Sequence, residues 1–341
     1  MESLSWTLEE NNGVSLKEYL LNENDNTQIK VIYCGICGSD LHLLNGEGNK
    51  KRPLSIGHEF VGIISKFPPE GFSVGDKVIV TPGCSCGKCD YCIKYDNQNC
   101  CEHRVAHGMT LKKGENIILG GMSTEVILAP NLKLYKLPDN LSLLTATITE
   151  PVTVAIRACS KMQGLVGNKV LVVGSGPIGT LCSLLLISRG YEVKVVEKEK
   201  YRVKYLKQNF NFDVVDAESI NDKEFDAVLE CTGIPETINY SIKKVRKNGK
   251  LILVGNFISN GEVSIDPSII CNNELEIYGS VLGAEDKYEE ALSLLSKNEI
   301  LWSKVISHIL EFEDYKKGVL LGKSKQCMKI IMKINGEEDG E

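Results

Sequence analysis

The sequence predicts an α/β protein of two domains, one built on a doubly wound parallel sheet and one mainly β and ordered in part by metal. Three observations carry this expectation. Strands alternate with helical stretches from residue 168 onward. A Gly-rich turn joins the first of those strands to the first of those helices. Six of the thirteen cysteines crowd between Cys84 and Cys101. A length of 341 residues fits about two domains.

Each element has a local reason. Residues 168–174 (NKVLVVG) form a continuous apolar run, as expected of a strand buried on both faces. Residues 177–189 follow as an apolar helix, and 191–197 (YEVKVVE) as a second strand. Residues 202–209 read as helical, 225–231 as a strand, 235–245 as a helix and 250–255 as a strand. Such alternation implies a parallel sheet with helices on both faces. Residues 275–281 (LEIYGSV) read as one more strand at the end of the sheet. In 287–296, Tyr288, Ala291, Leu292 and Leu295 fall on one face of an amphipathic helix. Before residue 140 the pattern is different. Residues 31–33, 60–65, 77–81 and 125–128 are short β-branched runs bounded by Gly, Pro or polar clusters. Residues 82–123 show little periodicity, and so long a loop needs a source of order other than an apolar core. The acidic end from Gly336 is expected to fray.

Composition narrows the function. Hydrophobic residues make up 43% and charged residues 25%, with a net charge of −6. A nucleic-acid binder would carry a basic excess, so no nucleic-acid partner is expected. No apolar run approaches the ~18 residues of a spanning helix, so no membrane partner is expected. The first residues, MESLSWTLEENNG, lack the apolar core of a secretory signal. A cytoplasmic location follows, and there the thirteen thiols read as metal ligands or buried small side chains, not disulfides.

Gly174-Ser175-Gly176-Pro177-Ile178-Gly179 is a GxGxxG placed between a buried strand and a helix, the context of a Rossmann dinucleotide site. Gly174 allows the tight turn, Gly176 lets backbone approach a pyrophosphate, and Gly179 lets helix and strand pack closely. The helix N-terminus offers free N–H groups to the phosphates. Glu197 ends the second strand, where a carboxylate accepts from a ribose diol and repels a 2′-phosphate. This favours NAD, with NADP made possible if Arg202 turns inward.

Cys86, Cys89, Cys92 and Cys100 have the pattern C-x2-C-x2-C-x7-C. Four thiolates close a tetrahedral zinc site, which would be structural and would order the long loop. An iron–sulfur cluster is the competing ligand for such a set. Cys84 and Cys101 read as surplus. Cys37, His58 and Glu150, far apart in sequence, form a mixed donor set that suits a zinc ion with an open position. Taken singly, Cys37 reads as a buried thiol and His58 as a core histidine.

GICGSDLH, GHEFVG, GDKV, CGKCDYC, GGMSTEV, EPV, VLVVGSGPIG, ECTG, KLILVG and LEIYGS follow one another along nearly the whole chain. In this order they resemble the zinc-dependent medium-chain dehydrogenase/reductase family of alcohol, polyol, sugar and threonine dehydrogenases. The resemblance implies a GroES-like catalytic domain over residues 1–150, with its zinc lobe at about 84–101. It implies a Rossmann domain over 151–285 and a segment, 286–341, that returns to the catalytic domain. It implies two zinc ions per chain, with Cys37, His58 and Glu59 or Glu150 at the catalytic one. Ser39 matches the family's proton-relay hydroxyl, His42 a more variable relay position, and Thr232 falls in the cofactor-binding ECTG. The implied reaction is reversible hydride transfer from a secondary alcohol, polyol or sugar hydroxyl to NAD(P), with a small hydroxy compound as substrate and a homodimer or homotetramer as assembly. Glu150 in place of a cysteine inclines toward the polyol, sugar and threonine branches. L-Threonine or a simple alcohol is the alternative substrate. A catalytically silent nucleotide-binding zinc protein is the alternative from another class.

Overall fold

The computed structural model describes residues 2–21, 26–48, 50–109, 118–129, 132–258 and 260–336, and the backbone of 112–113 and 116–117. The acidic residues after Gly336 lie outside this set. The chain forms two compact units, residues 1–150 with 284–324 and 329–341, and residues 151–283 with 325–328.

In the second unit, six strands form one sheet, all pairing in parallel. Its spatial order is Asp213–Val215, Glu192–Val196, Lys169–Val173, Phe225–Glu230, Val245–Leu253, Glu276–Gly279. Numbered along the chain this is 3-2-1-4-5-6, the Rossmann order, with its switch point between Lys169–Val173 and Phe225–Glu230. Val170, Leu171 and Val172 are fully buried, as are Ala227, Val228 and Leu229. The apolar runs therefore mark the centre of the sheet. The short strand Asp213–Val215 lacks such a run, and its side chains are partly exposed at the sheet edge.

The first unit carries a seven-stranded sheet around Gln28–Ile36. That strand pairs antiparallel with Glu59–Lys66 on one side. On the other it pairs with Glu125–Ile127 at its start and Lys329–Lys333 at its end. A second sheet, Glu2–Leu8 with Val14–Leu20 and Leu54–Ser55, packs its buried side around the hydroxyls of Ser5, Ser55 and Ser123. These donate to one another at 2.7–2.8 Å, so the buried polar atoms are satisfied.

Register sets the position of the candidate site. Gly35 stands opposite Glu59, and Ile330 opposite Ile36. The ends of three strands therefore place Cys37, His58–Glu59 and Lys329 side by side. Glu150 comes from another element. It is the second residue of the helix Thr149–Ser160, and Pro151 occupies the first turn, where its missing N–H costs nothing.

Candidate functional site

One donor atom each from Cys37, His58 and Glu59 lies within 4.8 Å of the others. Sulfur, imidazole nitrogen and carboxylate oxygen form a set that fits zinc, and three protein ligands leave a coordination position open. Helix Gly38–Leu44 begins directly after Cys37. Its Asp40 acts twice. One carboxylate oxygen accepts the Cys37 backbone N–H at 2.9 Å, and the other stands 3.3 Å from His58 Nδ1. A carboxylate on Nδ1 holds that proton and leaves Nε2 for a metal. Ser39 Oγ lies 3.4 Å from His58 Nε2. Burial opposes protonation of His58, but the charges of Asp40 and Cys37 outweigh it and hold its pKa well above the usual value.

Glu150 is buried and stands outside that three-residue group. Burial first, and then the negative charge of Glu59, push its carboxyl up to about 7. Lys329 ion-pairs with Glu59, both side chains being buried. His42 Nδ1 is paired with Glu47.

Sequence reasoning misses Asp40 and Lys329. Asp40 had a signal, since a metal-bound histidine needs a carboxylate partner and GICGSDLH holds one acidic residue. Lys329 had none, because it lies 293 positions from Ile36, the carbonyl to which it donates.

The four-thiol expectation requires a correction. The gathered cysteines are Cys86, Cys89, Cys92 and Cys101. Cys100 is exposed and stands outside the set. The 3-10 turn Gln98–Cys100 leaves Cys100 facing solvent, and Cys101, the first residue after it, is buried. Cys101 Sγ accepts the Cys86 N–H at 3.2 Å and lies 3.9 Å from Cys89 Sγ. Cys89 and Cys92 stand 3.5 Å apart, sulfur to sulfur. Backbone N–H groups, that of Lys88 foremost, draw the Cys86 thiol down to about 6, while burial pushes Cys92 up to about 11. The set fits a closed structural zinc site.

In the second unit, the Gly-rich turn sits at the switch point. Gly174 has φ +86°, and a Cβ there would lie 2.5 Å from Thr232 Cγ2. A Cβ on Gly179 would lie 2.0 Å from the Gly174 carbonyl oxygen. Pro177 and Ile178 open the helix Pro177–Ser188, and Ser175 Oγ meets Thr180 Oγ1 at 3.0 Å. Glu197 accepts backbone N–H groups from Ser175, Lys198 and Glu199 at 2.8–2.9 Å, so it ties the second strand to the turn. A carboxylate has about four acceptor sites, so one remains for a ribose hydroxyl. Arg202 lies against the Gly-rich turn. Its Nε donates to the Cys327 carbonyl, and its guanidinium comes within 3.1 Å of where a Gly176 Cβ would stand. The Thr232 N–H bonds to the buried Glu230 at 2.8 Å, and its hydroxyl meets that of Thr237 at 2.9 Å.

Comparison with known proteins agrees with this architecture. Residues 23–139 match the family model "Alcohol dehydrogenase GroES-like domain", and residues 177–297 match "Zinc-binding dehydrogenase". A sorbitol dehydrogenase of Halalkalibacterium halodurans is 30% identical over 320 residues, 89% of this chain and 90% of that one. D-arabinitol dehydrogenase 1 of Uromyces fabae is 29% identical over 329 residues, 92% of this chain and 91% of that one. A short chain alcohol dehydrogenase from E. coli, solved in complex with cofactor NADH, superposes with a TM-score of 0.84 at 26% identity, covering 98% of this chain and 99% of the other. With these likenesses spanning both units, the chain belongs to the zinc-dependent medium-chain dehydrogenase family.

Proposed function

We propose that this dehydrogenase oxidises a secondary hydroxyl of a polyol or sugar reversibly, with NAD as hydride acceptor. The observation that carries the reading is the convergence of Cys37, His58 and Glu59 beside the buried Glu150. Zinc held by those three donors supplies Lewis-acid stabilisation of the charge that develops on the substrate oxygen. The chain does the rest. Asp40 fixes the tautomer of His58. Ser39, in reach of His58 Nε2, takes the hydroxyl proton and passes it toward solvent. Glu150 stands buried beside the site, its carboxyl raised by burial and by the negative charge of Glu59.

For the cofactor, Arg202 at Gly176 faces the diphosphate position, leaving the Glu197 carboxylate to the adenosine ribose. That division supports NAD over NADP. Thr232 would contribute through the loop that Glu230 holds. The second zinc belongs to Cys86, Cys89, Cys92 and Cys101. The edge strand Glu276–Gly279, with Ile277 37% exposed, supports a homodimer by strand pairing. No described helix is long and apolar enough to cross a membrane.

The test is NADH formation, followed by absorbance, across sorbitol, arabinitol, xylitol, L-threonine and simple alcohols. Polyols should give the highest kcat/KM. A best substrate among the simple alcohols, or turnover with NADP alone as acceptor, would sink the reading.

A further inference from the structure

Three cysteines that belong to neither donor set meet in the second unit. Cys159 lies in the helix Thr149–Ser160, Cys182 in the helix Pro177–Ser188, and Cys231 directly after the strand Phe225–Glu230. Cys159 donates its S–H to Cys182, and Cys182 donates in turn to Cys231. The row runs outward. Cys182 is fully buried, Cys159 is 4% exposed, and Cys231 is partly exposed. Buried thiols serve as small apolar side chains. Cys231 is placed differently, beside the Gly-rich turn. A Cβ on Gly179, in the first turn of its helix, would lie 3.4 Å from Cys231 Cβ. A Cβ on Gly174 would lie 3.3 Å from the Cys231 carbonyl carbon, and the Cys231 N–H bonds to the Val173 carbonyl at 2.8 Å. A thiol beside a helix N-terminus, open to solvent and with a donor on its sulfur, has the surroundings of a reactive cysteine. A second thiol in contact with it is placed to resolve an oxidised sulfur.

We propose that Cys231 is a modification site for hydroperoxides, with Cys182 as its resolving thiol and the Gly-rich turn as the element that the pair controls. The Cys231 sulfur attacks a peroxide oxygen and the O–O bond breaks. Cys231 becomes a sulfenic acid, and its thiol proton leaves with the departing oxygen as water or an alcohol. The Cys182 sulfur then attacks the Cys231 sulfur. The S–O bond breaks, and the proton that Cys182 already donates toward Cys231 leaves with the hydroxyl as water. Two thiols lose two electrons, and the hydroperoxide gains them. The bridge ties the strand end to the helix across the gap that Gly174 and Gly179 keep clear. That gap is already tight, since a Cβ on Gly179 would lie 2.0 Å from the Gly174 carbonyl oxygen. Drawing Cys231 toward Cys182 therefore moves the turn, and Thr232 after it, out of the geometry that takes a diphosphate. Oxidation weakens dinucleotide binding, and a dinucleotide already on the turn shields Cys231.

The test treats the zinc-loaded enzyme with hydrogen peroxide, with and without saturating NAD. Free thiols are then blocked, bridges are mapped by mass spectrometry, and NADH affinity is read from its fluorescence. A Cys182–Cys231 bridge should form at doses that leave both zinc ions in place, which separates it from oxidation of the metal-binding thiols. NADH affinity should fall roughly tenfold, return with dithiothreitol, and fall less when NAD is present during treatment. Cys231→Ser, compared with itself before treatment, should keep its affinity. Cys182→Ala should accumulate a Cys231 sulfenic acid that dimedone traps. A Cys159–Cys182 bridge with Cys231 still free, no bridge before zinc is lost, a bridge that leaves NADH affinity unchanged, or an equal loss of affinity in Cys231→Ser overturns the proposal. The mapping uses the native protein, so the test holds even if Cys182→Ala fails to fold.

Discussion

In the lobe, Cys86 and Cys101 meet from 15 positions apart, inside a loop with little apolar core. At the open site, Cys37 and Glu59 meet because two long strands end in register, with Asp40, Glu150 and Lys329 buried around them. The lobe is held by its own donors, so its order depends on whatever they bind. The open site is held by the sheet, so its donors are already placed. Fold and chemistry therefore separate: loss of a ligand should cost stability in one region and turnover in the other.

The sharpest contrast is Cys37→Ala. Turnover should vanish, while the thermal midpoint stays near native and metal content falls from two equivalents to one. Near-native activity in that variant would remove the basis of the comparison. Next in size, Cys89→Ser or Cys101→Ser should lose the other equivalent and lower the midpoint by roughly 5–10 °C, at about 2–4 °C per kcal/mol. Cys100→Ser should match the native protein in both measurements. If Cys100→Ser loses metal and Cys101→Ser does not, the fourth donor is misassigned.

Asp40→Asn tests whether the sheet's buried neighbours serve the open site. It should weaken metal binding there about 10–100-fold and leave the lobe's metal in place. Equal losses from both sites would mean that Asp40 acts only on folding.

The smallest expected effect concerns the loop's second anchor. His107 is fully buried, bonded to the Leu119 carbonyl and packed edge-on against Phe60 at 5.5 Å. Burial pushes its pKa down from 6.5 to about 4. The unfolded chain then binds the extra proton between those values. Stability is complete above pH 6.5 and falls as pH drops toward 4, by about 2 kcal/mol at pH 5. Thermal melts at pH 7 and 5 should differ less in His107→Gln than in the native protein. An equal difference in both would place the acid sensitivity elsewhere.

What sequence alone discloses follows the same division. The parallel sheet was legible because NKVLVVG and FDAVLEC are buried on both faces and read as unbroken apolar runs. Glu2–Leu8 was not, because Ser3, Ser5 and Thr7 are buried polar residues satisfied by the Glu125 carbonyl and by the hydroxyls of Ser55 and Tyr19. Cys86, Cys89 and Cys92 follow from local spacing, whereas Cys100 and Cys101 are adjacent and only the turn between Gln98 and Cys100 separates their directions. Cys37 and His58 could be named from their motifs. The ammonium facing Glu59 could not, because strand register joins residues that no local pattern connects.

That register also orders events during synthesis. Cys37, His58 and Glu59 leave the ribosome long before Lys329, which is encoded 293 positions after Ile36. Residues 151–283 are contiguous and can close their sheet in the interval. Until Lys329–Lys333 joins Gln28–Ile36, the Glu59 carboxylate lacks its ammonium and both its oxygens are free for a metal ion. The last strand to arrive is therefore the one that brings the buried charge of Glu59 its counter-ion.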